Sequence, residues 1–107
     1  MLRIDDRWVW DWWIADTDSE YHLFFLQAPR SLGDQVKRHL HATIGHAVSA
    51  DLREWRSLPD ALTPGPPGSW DDGSTWTGST LWRGDTWYTF YTGVSAEDRD
   101  VQRIGHV

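Results

Sequence analysis

Short runs of aromatic and β-branched residues, separated by polar turns, dominate this chain and predict strands rather than helices. The first hairpin is predicted over 8–15 and 21–27, with a polar turn between its strands. Further strands are predicted over 42–49, 57–62, 76–82, 86–92 and 102–107. Because no long amphipathic helix is predicted anywhere, the pattern indicates an all-β fold.

Three polar segments are predicted to separate these strands. Residues 29–37 read as a long surface loop, and residues 51–55 as a short helical turn or loop. The proline and glycine run at 64–68 breaks regular structure, because proline lacks a ladder donor and glycine loosens the backbone. We interpret that run as the crossing between two sheets.

The hydrophobic pattern also repeats along the chain. The aromatic run 21–25 is followed by Ile-Gly-His at 44–46, and the aromatic run 87–91 is followed by Ile-Gly-His at 104–106. The aromatic runs are 66 residues apart and the Ile-Gly-His runs are 60 apart, which fits a loop six residues longer in the first copy. The two halves of the chain are therefore predicted to be two copies of one structural unit.

Repeated aromatic β-segments at this spacing predict a β-propeller, whose four-stranded blades surround a central channel. The chain would hold about one and two-thirds blades of a five-bladed ring. The first blade is predicted over about 8–63, and the second, incomplete blade over about 70–107. The first strand of each blade is innermost, so Asp11 and the segment 76–79 should face the same channel. Open blade edges also predict self-association, since they invite pairing with another copy.

Composition narrows the choice of partners. The 107 residues include nine Trp, no Cys and a formal charge of −6. This charge argues against nucleic acid as a partner, because phosphate binding needs clustered Lys and Arg. No apolar run approaches the roughly 20 residues that span a bilayer. The charged segment 1–6 is unlike a signal peptide. These observations predict a soluble, cytoplasmic protein without a membrane partner.

Four motifs together resemble the five-bladed propeller glycosidases of glycoside hydrolase families 32, 43 and 68, family 32 most closely. Residues 44–55 are similar to the family's Gly-His-Ala-Val-Ser-x-Asp-Leu-x-x-Trp pattern, and residues 58–64 continue it. Residues 21–25 match its Tyr-His-Leu-Phe-Tyr strand, and residues 76–79 resemble its aromatic-Ser-Gly-Ser motif. The resemblance covers roughly 8–107 and implies a carbohydrate substrate.

By this resemblance Asp11 stands where the family has its first catalytic carboxylate. That group acts as a nucleophile in retaining glycosidases and as a base in inverting ones, and the sequence leaves both open. The family's Asn-Asp-Pro-Asn-Gly is replaced by Trp-Asp-Trp-Trp at 10–13. Burial among these Trp residues is expected to shift the pKa of Asp11. The alternative is a solvated carboxylate at a strand edge.

Four further residues are candidates for substrate binding. Trp12 and Trp76 carry flat apolar rings that suit a sugar face, although packing in the core is the alternative for each. Ser79 resembles a family residue on the side of the channel that contacts sugar hydroxyls, and a structural hydroxyl is the alternative. Asp72 and its neighbour Asp71 lie close before this motif and could contact substrate, but a solvated loop is the interpretation that we favour for both.

The positions of the histidines indicate structural roles rather than a metal site. His39 and His41 have a spacing that suits a metal site, but without a third ligand we predict none. His46 and His106 recur at equivalent positions of the two copies. This periodicity predicts a hydrogen bond between strands rather than catalysis.

The predicted function is that of a glycoside hydrolase, β-fructosidase-like in the full-length parent. No cofactor is predicted, because no phosphate loop or dinucleotide fingerprint is present. The family's other carboxylates lie in an Arg-Asp-Pro motif and in a later Glu, often followed by Cys. Neither motif occurs in these 107 residues, so we expect no complete carboxylate pair within them. The alternative is a non-catalytic carbohydrate-binding module or a truncated remnant.

Overall fold

The computed structural model describes residues 2–107, which form two antiparallel sheets. The first sheet has the strand order β1-β2-β3-β4, and the second has the order β5-β6-β7. The strands are β1 (Arg7–Asp16), β2 (Tyr21–Pro29), β3 (Thr43–Ser49), β4 (Arg56–Leu62), β5 (Ser74–Arg83), β6 (Thr86–Val94) and β7 (Gln102–His106). The prediction of an all-β partial propeller is confirmed. Within the described range no helix has the length and apolar character needed to cross a membrane.

The connection between β2 and β3 is more ordered than predicted. The segment expected to be a surface loop contains two short 3-10 helices, Arg30–Leu32 and Gln35–Leu40. The connection between β3 and β4 is a turn closed by Asp51. Its carboxylate accepts the backbone N–H groups of Glu54 and Arg53, each at 2.9 Å, and these bonds lower the pKa of Asp51.

The core lies at the junction where the two sheets face each other. Phe24, Leu26 and Ile44 of the first sheet pack with Tyr91 of the second, and all four are buried. Partly buried apolar side chains surround this cluster: Trp10, Trp13, Leu62, Trp70, Trp76 and Trp87. Most of the unusual tryptophan content therefore joins one sheet to the next.

The repeated Ile-Gly-His sequence has a steric origin. The ring of Phe25 occupies the space that a Cβ at Gly45 would need, and the indole of Trp70 does the same at Gly105. A strand with alternating side chains normally has no reason to include glycine. In both sheets the glycine therefore lets an aromatic ring approach the third strand closely.

The outer faces of the two sheets expose apolar side chains. Ile44 is 0% exposed whereas Ile104, its equivalent in the second copy, is 81% exposed; Phe24 and Phe90 are 3% and 45% exposed. The second sheet thus presents to solvent the same kind of face that the first sheet buries at the junction. On the first sheet the exposed apolar side chains are Val9, Trp12 and Ile14.

The interpretation of Asp71 as a solvated loop residue is wrong. Its carboxylate is buried and accepts hydrogen bonds from the Tyr91 hydroxyl at 2.6 Å and the Ser69 hydroxyl at 2.9 Å. Burial, together with this bond and the charge of Asp71, raises the pKa of Tyr91. Asp71 therefore anchors the connection between the sheets to the core.

Candidate functional site

Matching bulges interrupt the two strands that begin the sheets. The pairing of β1 with β2 shifts register between Trp10 and Trp12, and that of β5 with β6 shifts between Trp76 and Gly78. The residues left without a cross-strand partner are Asp11 and Thr77. A bulge re-aims a side chain out of the regular alternation, and bulges are common next to active sites.

The bulges bring Asp11 and Thr77 together across the junction. The Thr77 hydroxyl donates a hydrogen bond of 3.1 Å to Asp11 Oδ2. Asp11 has a φ of 41°, in the left-handed region, which costs on the order of 1 kcal/mol for a residue other than glycine. Its side chain is exposed, contrary to the expected burial among Trp residues, because the bulge turns it away from the sheet.

Trp12 and Trp76, both proposed from the sequence as sugar platforms, lie apart. Trp12 is 66% exposed and lines a groove of about 420 Å³ with Ile14 and Leu23, on the face of β1 that is opposite Trp13. Trp76 is half-buried against the junction core, and its Nε1 donates to the carbonyl of His39 at 2.6 Å. The structure therefore does not combine these two rings in one site.

Neither Ser79 nor Asp72 forms a hydrogen bond with Asp11. Ser79 is exposed and pairs with Phe90 across the strands. The Asp72 carboxylate accepts the backbone N–H groups of Ala96 and Gly68, each at 2.8 Å, and these bonds lower its pKa. Asp72 therefore closes two loops, and its contact with substrate stays a prediction, as does that of Ser79.

Two histidines form a pair between β2 and β3. His22 Nδ1 and His46 Nε2 are 2.8 Å apart, which confirms the predicted inter-strand hydrogen bond of His46. The His46 ring stacks on Phe24 at 4.5 Å, and the His22 ring meets the edge of Trp87. Burial, reinforced by the charge of His22, lowers the pKa of His46 to about 4. The ring of His106, in contrast, lies tilted against the ring of Phe90, with the two centroids 6.0 Å apart.

The low pKa of His46 predicts a loss of stability in mild acid. In the unfolded chain His46 has the ordinary pKa of 6.5, so between pH 6.5 and 4 the unfolded state takes up a proton that the folded state does not. Stability is therefore complete above pH 6.5 and falls as pH decreases towards 4. Allowing for partial exposure, we expect a loss of about 1–2 kcal/mol at pH 5.

Urea unfolding at pH 7 and pH 5 measures this effect. His46→Gln should reduce the difference between the two pH values, whereas His106→Gln, which changes the exposed equivalent, should leave it unchanged. An unaltered difference in His46→Gln would show that other groups cause the pH dependence.

His39 and His41 do not form a shared site. The His39 ring meets the edge of Trp10 at 5.9 Å, and His41 Nδ1 lies 3.0 Å from the carbonyl of Lys37. Among residues 2–107 no three His, Cys, Asp or Glu side chains are arranged to hold a metal ion.

Sequence reasoning missed the role of Thr77 as the partner of Asp11. The two residues are 66 apart, the same offset that separates the aromatic runs, so the repeat contained this information. It also missed the 3-10 helix Gln35–Leu40, which contacts the site through the His39 carbonyl. A backbone acceptor leaves no mark in the amino-acid sequence.

The first strands of the two sheets thus meet with an exposed carboxylate between them, an arrangement that agrees with the propeller glycosidases which the sequence resembles. The family model "Glycosyl hydrolases family 32 N-terminal domain" matches residues 13–107. The chain therefore belongs to glycosyl hydrolase family 32, in its N-terminal portion. The match begins two residues after Asp11.

Individual relatives agree with this assignment. The chain is 35% identical over 85 residues to the rice (Oryza sativa subsp. indica) β-fructofuranosidase, insoluble isoenzyme 7, and 34% identical over 85 residues to the fructan 6-exohydrolase of Beta vulgaris. Each match covers 78% of this chain and 13% of the relative. The structure of fructan 1-exohydrolase IIa from Cichorium intybus superposes with a TM-score of 0.75 at 28% identity, over 96% of this chain and 18% of that one.

Proposed function

We propose that the whole protein hydrolyses β-fructosyl bonds and that Asp11 is its nucleophile or base. The observation that carries this proposal is the position of Asp11, exposed on a bulge of an inner strand and hydrogen-bonded to Thr77 of the next sheet. A carboxylate that attacks an anomeric carbon, or activates water, needs this combination of access and fixed orientation. The fructosidase and fructan exohydrolase names of the relatives support the choice of sugar.

The chemistry also requires a second carboxyl group, which protonates the leaving oxygen. In retaining enzymes the two groups are roughly 5–5.5 Å apart, and in inverting enzymes they are about 6.5–9.5 Å apart. We assign this second group to an inner strand of another blade, because the resemblance implies a Glu in a later blade.

The test is an assay of the whole protein against sucrose and a β-fructan oligosaccharide, with maltose as a glycoside that lacks fructose. We expect release of fructose from the first two substrates only, and loss of this release in Asp11→Asn. Sugar binding without hydrolysis would instead indicate a carbohydrate-binding module. Absence of both would contradict a role in carbohydrate chemistry.

A further inference from the structure

The longer loop of the first copy is fixed against the second sheet. Its 3-10 helix Gln35–Leu40 is capped at its N-terminus by Asp34, whose carboxylate accepts a hydrogen bond from the N–H of Val36 at 2.9 Å. Near its other end, the carbonyl of His39 accepts hydrogen bonds from Trp76 Nε1 at 2.6 Å and from the Ser74 hydroxyl at 2.9 Å. The helix is therefore held at the strand that carries Thr77, beside the proposed site.

This arrangement holds Arg38 over the residue that precedes Asp11. The guanidinium carbon of Arg38 lies 4.9 Å from the ring centroid of Trp10, a distance at which a cation and an aromatic face attract each other. Trp10 is itself partly buried in the junction, and its ring edge contacts His39. Because Trp10 is held by the junction core and by His39, the aromatic face beneath the guanidinium of Arg38 has a fixed position.

The guanidinium of Arg38 lacks acceptors. No hydrogen bond or ion pair joins it to another residue in the range 2–107, and its Nε is shielded from solvent without a partner. Arginine carries five N–H donors, and a shielded donor without an acceptor is destabilising. A cation that is positioned by packing but has unused donors is suited to bind oxygen atoms supplied by a ligand.

We propose that Arg38 is a substrate-binding residue that donates hydrogen bonds to two adjacent hydroxyl oxygens of the sugar bound at Asp11. This inference rests on the proposed function and deepens it by naming a contact that selects the substrate. The planar fork of a guanidinium fits two neighbouring oxygen atoms, and the single ammonium of lysine does not. The corresponding connection of the second copy, between Val94 and Gln102, is shorter and contains no helix, so the repeat does not reproduce this contact in the second sheet.

Isothermal titration calorimetry with the whole protein tests the contact without relying on turnover. Sucrose and a β-fructan oligosaccharide are titrated into Asp11→Asn, which keeps the sugar intact, and into the same protein with Arg38→Met or Lys37→Met. We expect Arg38→Met to raise the Kd about 10- to 100-fold, since it removes hydrogen bonds from a charged donor. Lys37→Met is the matched control, because Lys37 is the exposed neighbour in the same helix, and it should change the Kd less than twofold.

Equal affinity of the Arg38→Met and Lys37→Met proteins would overturn the inference. If the Arg38→Met protein lacks a cooperative thermal transition, the Arg38→Lys protein is used for the test. Lysine keeps a positive charge over Trp10 but lacks the planar guanidinium that binds two oxygen atoms. A Kd raised at least fivefold in Arg38→Lys supports the inference, and an unchanged Kd overturns it. Failure of the unsubstituted whole protein to release fructose would refute the proposed function separately, without altering the comparison of affinities.

Discussion

Asp11→Asn is expected to reduce the kcat/KM of the whole protein for sucrose by about 10²- to 10⁴-fold, the usual contribution of a positioned acid or base. The amide has the shape of the carboxylate but neither attacks an anomeric carbon nor accepts a proton from water. The Thr77 hydroxyl can still donate to the amide oxygen, so the junction should remain intact. Initial rates of fructose release, compared with unchanged thermal unfolding, separate chemical loss from misfolding.

The matched control for this substitution is Asp18→Asn. Asp18 is also exposed, and with a φ of 69° it also occupies the left-handed region, but it lies in the turn between β1 and β2. We expect its activity to stay within twofold of the parent protein. If Asp11→Asn retained as much activity as Asp18→Asn, another carboxylate would have to be the nucleophile or base.

The stereochemistry of the product then shows whether Asp11 acts as a nucleophile or as a base. A nucleophile gives a first product with the configuration of the substrate, whereas a base that activates water gives the opposite configuration. Proton NMR of the sugar released in the first minutes distinguishes the two. The answer also predicts how far the second carboxyl group lies from Asp11.

The strands were predictable because aromatic and β-branched residues mark them throughout. The bulges were not predictable, and they explain most of the differences between the predicted and the observed positions of the site residues. In an unbroken strand Trp10 and Trp12 would share one face, but the extra residue Asp11 moves Trp12 to the opposite face, beside Ile14. The same extra residue leaves the carboxylate exposed rather than buried. A bulge is decided by pairing with a second strand, so it leaves little trace in the local sequence.

The burial of Asp71 and the 3-10 helix Gln35–Leu40 were also beyond local reasoning. Asp71 follows a proline and glycine run that is typical of a solvated loop, and its burial depends on Tyr91, 20 residues later. The 3-10 helix Gln35–Leu40 lacks an apolar periodicity, and it is fixed by contacts with Trp76 and Ser74 of the second sheet. Arg38 was therefore overlooked, because its position depends on that helix.

The repeat provides a final prediction, since it supplies two equivalent isoleucines with opposite environments. Ile44→Ala removes a fully buried side chain from the junction and should lower the free energy of unfolding of the 107-residue chain by about 2–5 kcal/mol. Ile104→Ala removes a side chain that is 81% exposed and should change the free energy of unfolding by less than about 0.5 kcal/mol.

Urea unfolding of both variants at a low protein concentration measures the two values. An equal loss in both would show that another copy covers the face of Ile104, and the loss should then depend on protein concentration, because association stabilises by mass action.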